Sequence, residues 1–166
     1  MSALLGWLET TPFSVWVRES TSVWAFPAIL SAHAIGMALA AGISAALALH
    51  LLGVVTMTPL RGMQRFVPLL WGGFWLNTAS GVVLLAGYPT KALTNPVFYV
   101  KLLLIALAMT LFVAVDRGLL RKDAQEHAWS EGRKRVVATL TLASWAGAIT
   151  AGRLLAYTYR HLLAGF

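Results

Sequence analysis

The sequence predicts an all-α fold, a four-helix transmembrane bundle with a short amphipathic N-terminal helix at the membrane interface. The first observation is composition, since 58% of the 166 residues are hydrophobic and the mean hydropathy is +0.73. Charged residues make up 11%, less than half the share in an ordinary soluble domain. The second observation is that four apolar stretches are each long enough to cross a bilayer, which takes roughly 20 helical residues. A typical soluble enzyme and a disordered chain are therefore excluded.

Turn-forming residues set the limits of the four predicted spans. Pro59 follows the first span, Tyr88-Pro89 ends the second, and Asn95-Pro96 is a typical helix start for the third, with Asn95 as the N-cap. Pro27 lies where the first helix starts or kinks. Residues 23–166 thus form one membrane domain with spans at about 23–55, 66–87, 97–115 and 136–159.

Residues 1–22 form a separate external segment that precedes the first span. Apolar residues such as Trp7, Phe13 and Trp16 alternate here with Glu9 and Arg18. This pattern is typical of amphipathic helices that lie in the membrane interface, and it predicts one or two short helices, one of them starting at Thr11-Pro12. The segment lacks the N-terminal cation and the cleavage site of a signal peptide.

The distribution of cations predicts the orientation of the chain in the membrane. Eight Lys and Arg residues follow spans one and three, whereas three lie on the opposite side, at 18, 91 and 160. Because cytoplasmic loops carry the excess of cations, the sequence predicts a bacterial inner-membrane protein with both termini in the periplasm. The net charge of +7 is explained by this rule, so nucleic acid is not an expected partner. The absence of cysteine excludes disulfides and thiolate metal sites.

Three ionisable residues interrupt the apolar spans, namely His33, Lys101 and Arg153. Ionisable groups inside a membrane are costly, so each of them is a functional-site hypothesis. All three are predicted in the periplasmic half, and Asn77 is a weaker fourth candidate near the midplane. Arg153 shares one helix face with Tyr157 and His161, which follow it at four-residue steps.

No predicted span carries a carboxylate in its periplasmic half, which leaves Lys101 and Arg153 without an obvious partner; Glu19 of the external segment is the nearest candidate. Two cations at similar depth point to an anionic group from elsewhere, such as haem propionates, a quinone head group, a lipid phosphate or a partner subunit's carboxylate. The alternative is that both side chains snorkel to the interface, and that Asn77 is an interhelical hydrogen-bonding group.

His33 is followed at helical spacing by Gly36, Met37, Ala40 and Ser44, so its face is small enough for another helix or a flat macrocycle. Two interpretations remain open, a histidine hydrogen-bonded within a tight helix pair and a metal or haem ligand. Met37 is one turn away and would join His33 at a copper site, or serve in packing. His50 lies 17 residues from His33, about 100° away around the helix, which disfavours a stacked pair of haems.

Five segments of the chain together resemble a bacterial family of four-helix integral membrane proteins, a domain of unknown function. The resemblance covers nearly the whole chain and includes the positions of His33, Lys101 and Arg153. More distantly, the start at His33 is similar to copper-resistance proteins and to small cytochrome b-like bundles. The segments are 11–20 (TPFSVWVRES), 33–36 (HAIG), 71–74 (WGGF), 95–101 (NPVFYVK) and 151–157 (AGRLLAY).

The chain departs from this family at two places. Members carry an Asp-Leu-Arg-Leu-Leu-Gly run where residues 48–53 read ALHLLG, and members often have a glutamate where this chain has Leu30. The resemblance therefore strengthens the candidate residues but implies no particular activity.

Three functions are consistent with these residues. The first is a redox or cofactor-binding module for b-type haem or quinone, held by His33, Lys101, Arg153, Tyr157 and Asn77. The second is a copper- or small-ion-handling protein that uses His33 and Met37. The third is a non-catalytic subunit or scaffold. Such a protein would assemble with a second copy of the chain or with a larger membrane complex.

Overall fold

The computed structural model describes residues 2–55, 59–121 and 129–164, with side chains left out at 2–4, 156 and 158–164. The described residues are helical and contain no strand, which confirms the all-α prediction. The helices are α1 (Ser2–Glu9), α2 (Pro12–Glu19), α3 (Phe26–Leu51), α4 (Val67–Gly87), α5 (Pro89–Leu93), α6 (Pro96–Val115) and α7 (Glu131–Ala164). A 3₁₀ segment (Leu60–Phe66) precedes α4, and a π-helical segment (Asp116–Leu120) extends α6.

The helix starts follow from local capping. The Thr11 side chain accepts a hydrogen bond from the Ser14 N–H, and Asn95 Oδ1 accepts one from the Val97 N–H at 3.0 Å. Both caps are followed by proline, whose missing N–H is one of those that a helix start leaves unpaired. The predicted starts at these two positions are therefore confirmed. Pro27 lies in the first turn of α3, so this helix begins at the proline rather than kinking there.

Three helices in the described part of the chain are long and apolar enough to cross a membrane. They cover Phe26–Leu51, Leu60–Gly87 and Pro96–Leu120, with mean hydropathies of 1.9, 1.4 and 2.4. The sequence predicts a fourth span at 136–159, which lies within the 34-residue α7. That helix is not among the three, because hydroxyl side chains and Arg153 dilute its apolar surface.

The four long helices pack so that α3 lies against α4 and α7, and α7 lies against α6. The apolar core lies in the half of the bundle where α3 ends and α7 begins, and it includes Leu47, Leu70, Phe112 and Trp145. His33 lies in the opposite half, nearer the start of α3. The fold therefore separates a well-packed apolar half from a half that carries polar groups.

The N-terminal segment forms two helices that pack on the ends of α4 and α5. Ser14 Oγ and Arg18 Nη1 both donate to the Gly87 carbonyl, at 3.3 and 3.2 Å, and Arg18 Nη2 donates to the Glu9 carbonyl at 2.8 Å. The Gly87 carbonyl belongs to the last turn of α4, where carbonyls lack helical partners and favour a nearby cation. We call Ser14, Arg18 and Gly87 the N-terminal clamp.

The outer face of this segment is aromatic. Trp7, Phe13 and Trp16 are exposed by 65%, 50% and 46%, whereas Ser14 and Val17 are buried on the inner face. The segment is therefore amphipathic in the structure, with two helices within the predicted external region 1–22. Aromatic residues of this kind are enriched where a membrane meets water.

Candidate functional site

The candidate site depends on an unusually close approach of α3 and α4. A Cβ atom at Gly36 would lie 2.5 Å from the Asn77 backbone nitrogen, and one at Gly73 would lie 2.6 Å from Leu39 Cβ. Only glycine leaves room for the backbones at these positions, the small-residue packing that is common between membrane helices. The small face that the sequence predicts beside His33 is thus the contact face with α4.

Asn77, whose backbone takes part in this contact, also joins the two helices through hydrogen bonds. Its side-chain Nδ2 donates to the His33 carbonyl at 2.8 Å, and its backbone carbonyl lies 3.0 Å from His33 Nδ1. A carbonyl oxygen only accepts hydrogen bonds, so we assign the imidazole proton to Nδ1. The other ring nitrogen, Nε2, then presents its lone pair away from α4.

Two further residues of α4, Ser80 and Gly81, contact the imidazole of His33. Ser80 Oγ lies 3.2 Å from His33 Nδ1 and donates to the Leu76 carbonyl at 2.6 Å. Gly81 leaves the space for the ring, since a Cβ there would lie 3.1 Å from His33 Cε1. The ring position is therefore fixed by the α4 backbone as well as by hydrogen bonds.

Lys101 of α6 reaches the free side of the imidazole. Its Nζ lies 3.4 Å from His33 Nε2, and we call these two residues the His33–Lys101 pair. The lysine stem passes beside Gly152 of α7, where a Cβ would lie 3.7 Å from both Cε and Nζ. An ammonium group has three N–H donors, and His33 uses one of them. No other hydrogen bond to this group is formed within the described residues.

The site is partly open to the surroundings of the chain. His33 and Lys101 are half-buried, whereas Asn77 and Ser80 are buried at 9% and 7% exposure. Glu19, the nearest carboxylate that the sequence suggests, forms no hydrogen bond or salt bridge with the described residues. The pair thus offers hydrogen-bond donors at a position that the rest of the described chain leaves partly exposed.

Apart from Asn77, the other predicted site residues make no hydrogen bond to the pair in the described part of the chain. Arg153 and Tyr157 are exposed on α7, and the Arg153 guanidinium makes no hydrogen bond or salt bridge with described residues. Met37 is partly buried and packs against the apolar core. The side chain of His161 lies outside the described residues. In the described part of the chain, no three His, Cys, Asp or Glu side chains are grouped as a metal site would need.

Sequence reasoning missed Ser80, Gly152 and the direct contact between His33 and Lys101. Ser80 lies three residues after Asn77, a spacing that places both on one helix face. The contact was missed because the cations were matched against carboxylates, whereas the partner is a neutral imidazole nitrogen.

Comparisons with known proteins give no further guide to this site. No family model, no curated protein and no solved structure matches the chain.

Proposed function

We propose that this protein is a cofactor-binding module of the bacterial inner membrane, whose His33–Lys101 pair binds the head group of a quinone in the periplasmic half of the bilayer. The observation that carries the proposal is the 3.4 Å contact between Lys101 Nζ and His33 Nε2 inside a helical, apolar chain. Holding a lysine there is costly unless its charge and spare donors are used.

The chemistry of the pair suits a carbonyl ligand. A quinone head group is flat and carries carbonyl oxygens that accept hydrogen bonds, which Lys101 supplies. The reduced form carries hydroxyl groups that donate, and the lone pair of His33 Nε2 accepts from one of them once Lys101 Nζ turns away from it. Asn77 and Ser80 keep the imidazole in the orientation that this exchange needs. In this proposal Arg153 and Tyr157 contact the ligand from α7.

A b-type haem is the second candidate, and one observation favours it. An imidazole that donates from Nδ1 to a backbone carbonyl leaves Nε2 free to bind a metal. Histidine ligands of metals are commonly held by a hydrogen bond of this kind. Lys101 Nζ stands in front of that nitrogen, however, so it would have to swing away before iron could bind. Because the carbonyl of an oxidised quinone accepts from a spare Lys101 donor without this rearrangement, quinone is the better supported ligand.

The first experiment measures which cofactor the purified full-length protein retains. Quinone is extracted from detergent-purified protein and quantified, and oxidised and dithionite-reduced spectra with metal analysis are recorded on the same sample. Stoichiometric quinone supports the proposal, whereas a Soret band that sharpens on reduction favours the haem candidate. Absence of quinone, haem and metal would refute both candidates and favour the scaffold interpretation.

Variants then locate the ligand. Lys101→Met removes a charged hydrogen bond worth about 1.5–3 kcal/mol, so we expect quinone affinity to fall roughly 10- to 100-fold. Lys91→Met is the matched control, since Lys91 lies in α5 with its Nζ 5.9 Å from the centre of the Tyr88 ring. Equal quinone affinity in both variants would contradict the assignment of Lys101.

The proposed topology has four spans with both termini in the periplasm, and it is tested separately. A periplasm-specific reporter fused after residue 166 is active only if α7 crosses the membrane, and the same reporter inserted after Arg121 stays inactive. If α7 does not cross, the C-terminal fusion reports the cytoplasm instead.

A further inference from the structure

A second candidate binding site lies at the opposite end of the molecule from the His33–Lys101 pair and shares no residue with it. A cleft of about 750 Å³ opens between the end of α3, the 3₁₀ segment and the start of α7. One wall is apolar and includes Leu51, Leu60 and Leu119. The polar residues that line the cleft are His50, Ser130, Glu131, Lys134 and Arg135. We call the whole space the basic cleft.

Of the described residues that have a buried polar side-chain atom without a partner, His50 is the one that lines this cleft. Its Nδ1 atom is buried and has no hydrogen-bond partner in the described part of the chain. A buried polar atom without a partner costs about 1–3 kcal/mol, so a ligand group that hydrogen-bonds to this imidazole would recover part of that cost. His50 lies in the last turn of α3 and is one of the residues that line the cleft together with Lys134 and Arg135.

The charge balance of the basic cleft is positive. Lys134 Nζ lies 2.7 Å from Glu131 Oε1, and this hydrogen bond lowers the pKa of the Glu131 carboxyl, so the two charges offset each other. Arg135 is exposed and its guanidinium forms no hydrogen bond with the described residues. Its five N–H donors match the oxygens of a phosphate in a bidentate geometry.

The start of α7 adds to this preference for an anion. Ser130 caps the helix, accepting from the Arg133 N–H at its side chain and from the Lys134 N–H at its carbonyl. The N-terminus of a helix this long carries a partial positive charge that favours phosphate. The start of α7, Arg135 and His50 therefore border the same cleft, and each of them can favour an anion there.

We propose that the basic cleft binds a phosphate group, held by Arg135 and Lys134 and paired with His50. The apolar wall matches the glycerol and first acyl carbons of an anionic phospholipid, and basic pockets at the cytoplasmic ends of membrane helices bind such head groups. A free phosphate shares the same chemistry, so the experiment distinguishes the two sources.

The test is native mass spectrometry of the full-length protein in detergent, titrated with phosphatidylglycerol. Diacylglycerol with the same acyl chains is the matched ligand control, since it lacks the phosphate. We expect phosphatidylglycerol adducts, and about fivefold weaker binding for Arg135→Gln, since one cation near a lipid head group is worth about 1 kcal/mol. His50→Leu is expected to weaken binding as well, because it removes the imidazole that pairs with the phosphate.

The matched control variant is Arg121→Gln. Arg121 lies at the same end of the molecule, pairs with Asp116 at 3.6 Å and does not line the cleft. The control loses the same charge, so it should bind phosphatidylglycerol as the wild type does. Displacement of the lipid by millimolar inorganic phosphate identifies a free phosphate as the ligand, and its absence identifies the lipid. Equal binding of both lipids, or an equal loss in both arginine variants, would overturn the proposal.

Discussion

Replacing Gly36 by alanine is the sharpest test of how the fold builds the candidate site. The new Cβ would lie 2.5 Å from the Asn77 nitrogen and 2.7 Å from the Gly73 carbonyl oxygen. Both contacts are with backbone atoms of α4, so no side chain can move aside. The helices must separate by about 1 Å to reach an ordinary contact distance of roughly 3.5 Å.

The energetic consequence follows from three terms. Overpacking costs about 1–3 kcal/mol. The separation also breaks the two hydrogen bonds between His33 and Asn77, worth about 0.6 kcal/mol each between membrane helices. Alanine returns about 1 kcal/mol relative to glycine through its helix propensity. We therefore expect Gly36→Ala to lower the free energy of unfolding by about 1–3 kcal/mol.

The assay is reversible unfolding in mixed micelles as the fraction of SDS rises, followed by circular dichroism. Gly42→Ala is the matched control, because it lies in the same helix and its Cβ would meet nothing within 4 Å. The control gains the same propensity without the clash, so its stability should be unchanged or higher. Equal stability of the two variants would refute the close approach of α3 and α4.

Three further predictions concern single side chains. Arg153→Leu should lower quinone occupancy at the His33–Lys101 pair, measured by extraction, and unchanged occupancy would return this arginine to a snorkelling role. Ser44→Ala should leave the free energy of unfolding unchanged or raise it by about 1 kcal/mol, because Ser44 Oγ is buried without a partner among the described residues. Ser80→Ala should lower the free energy of unfolding, because it loses the hydrogen bonds to His33 and Leu76. If Ser80→Ala proves the more stable of the two in SDS unfolding, the hydrogen bonding described is contradicted. Arg18→Met should speed hydrogen–deuterium exchange in α1 and α2 because the N-terminal clamp opens, whereas Glu19→Gln should not, and equal exchange in both variants would count against the clamp.

Much of the secondary structure could be predicted because its signals are local. The caps at Thr11 and Asn95 and the end of the second apolar stretch at Gly87 depend on residues adjacent in sequence. The boundaries differ where two signals compete. Helix α3, the first predicted span, begins at Phe26 rather than near residue 23, since Pro27 fixes its first turn. The last helix begins at Glu131, five residues before the predicted apolar span, because Ser130 caps a charged first turn.

The sequence could predict the depth of the site residues along their helices, but not which of their side chains are in contact. Counting residues along each span places His33 and Lys101 in the same half of the membrane. Which side chains touch depends on how each helix rotates about its axis, and this rotation is set by packing contacts such as those of Gly36 and Gly152.

The N-terminal clamp also constrains the order in which the chain assembles. Arg18 is synthesised 69 residues before Gly87, whose carbonyl it binds. The clamp therefore cannot close until the end of α4 has been made and lies on the same side of the membrane as Arg18. Closing so long a loop is among the slower steps of folding. Although α1 and α2 leave the ribosome first, they lock onto the rest of the protein only after the α3–α4 hairpin has inserted.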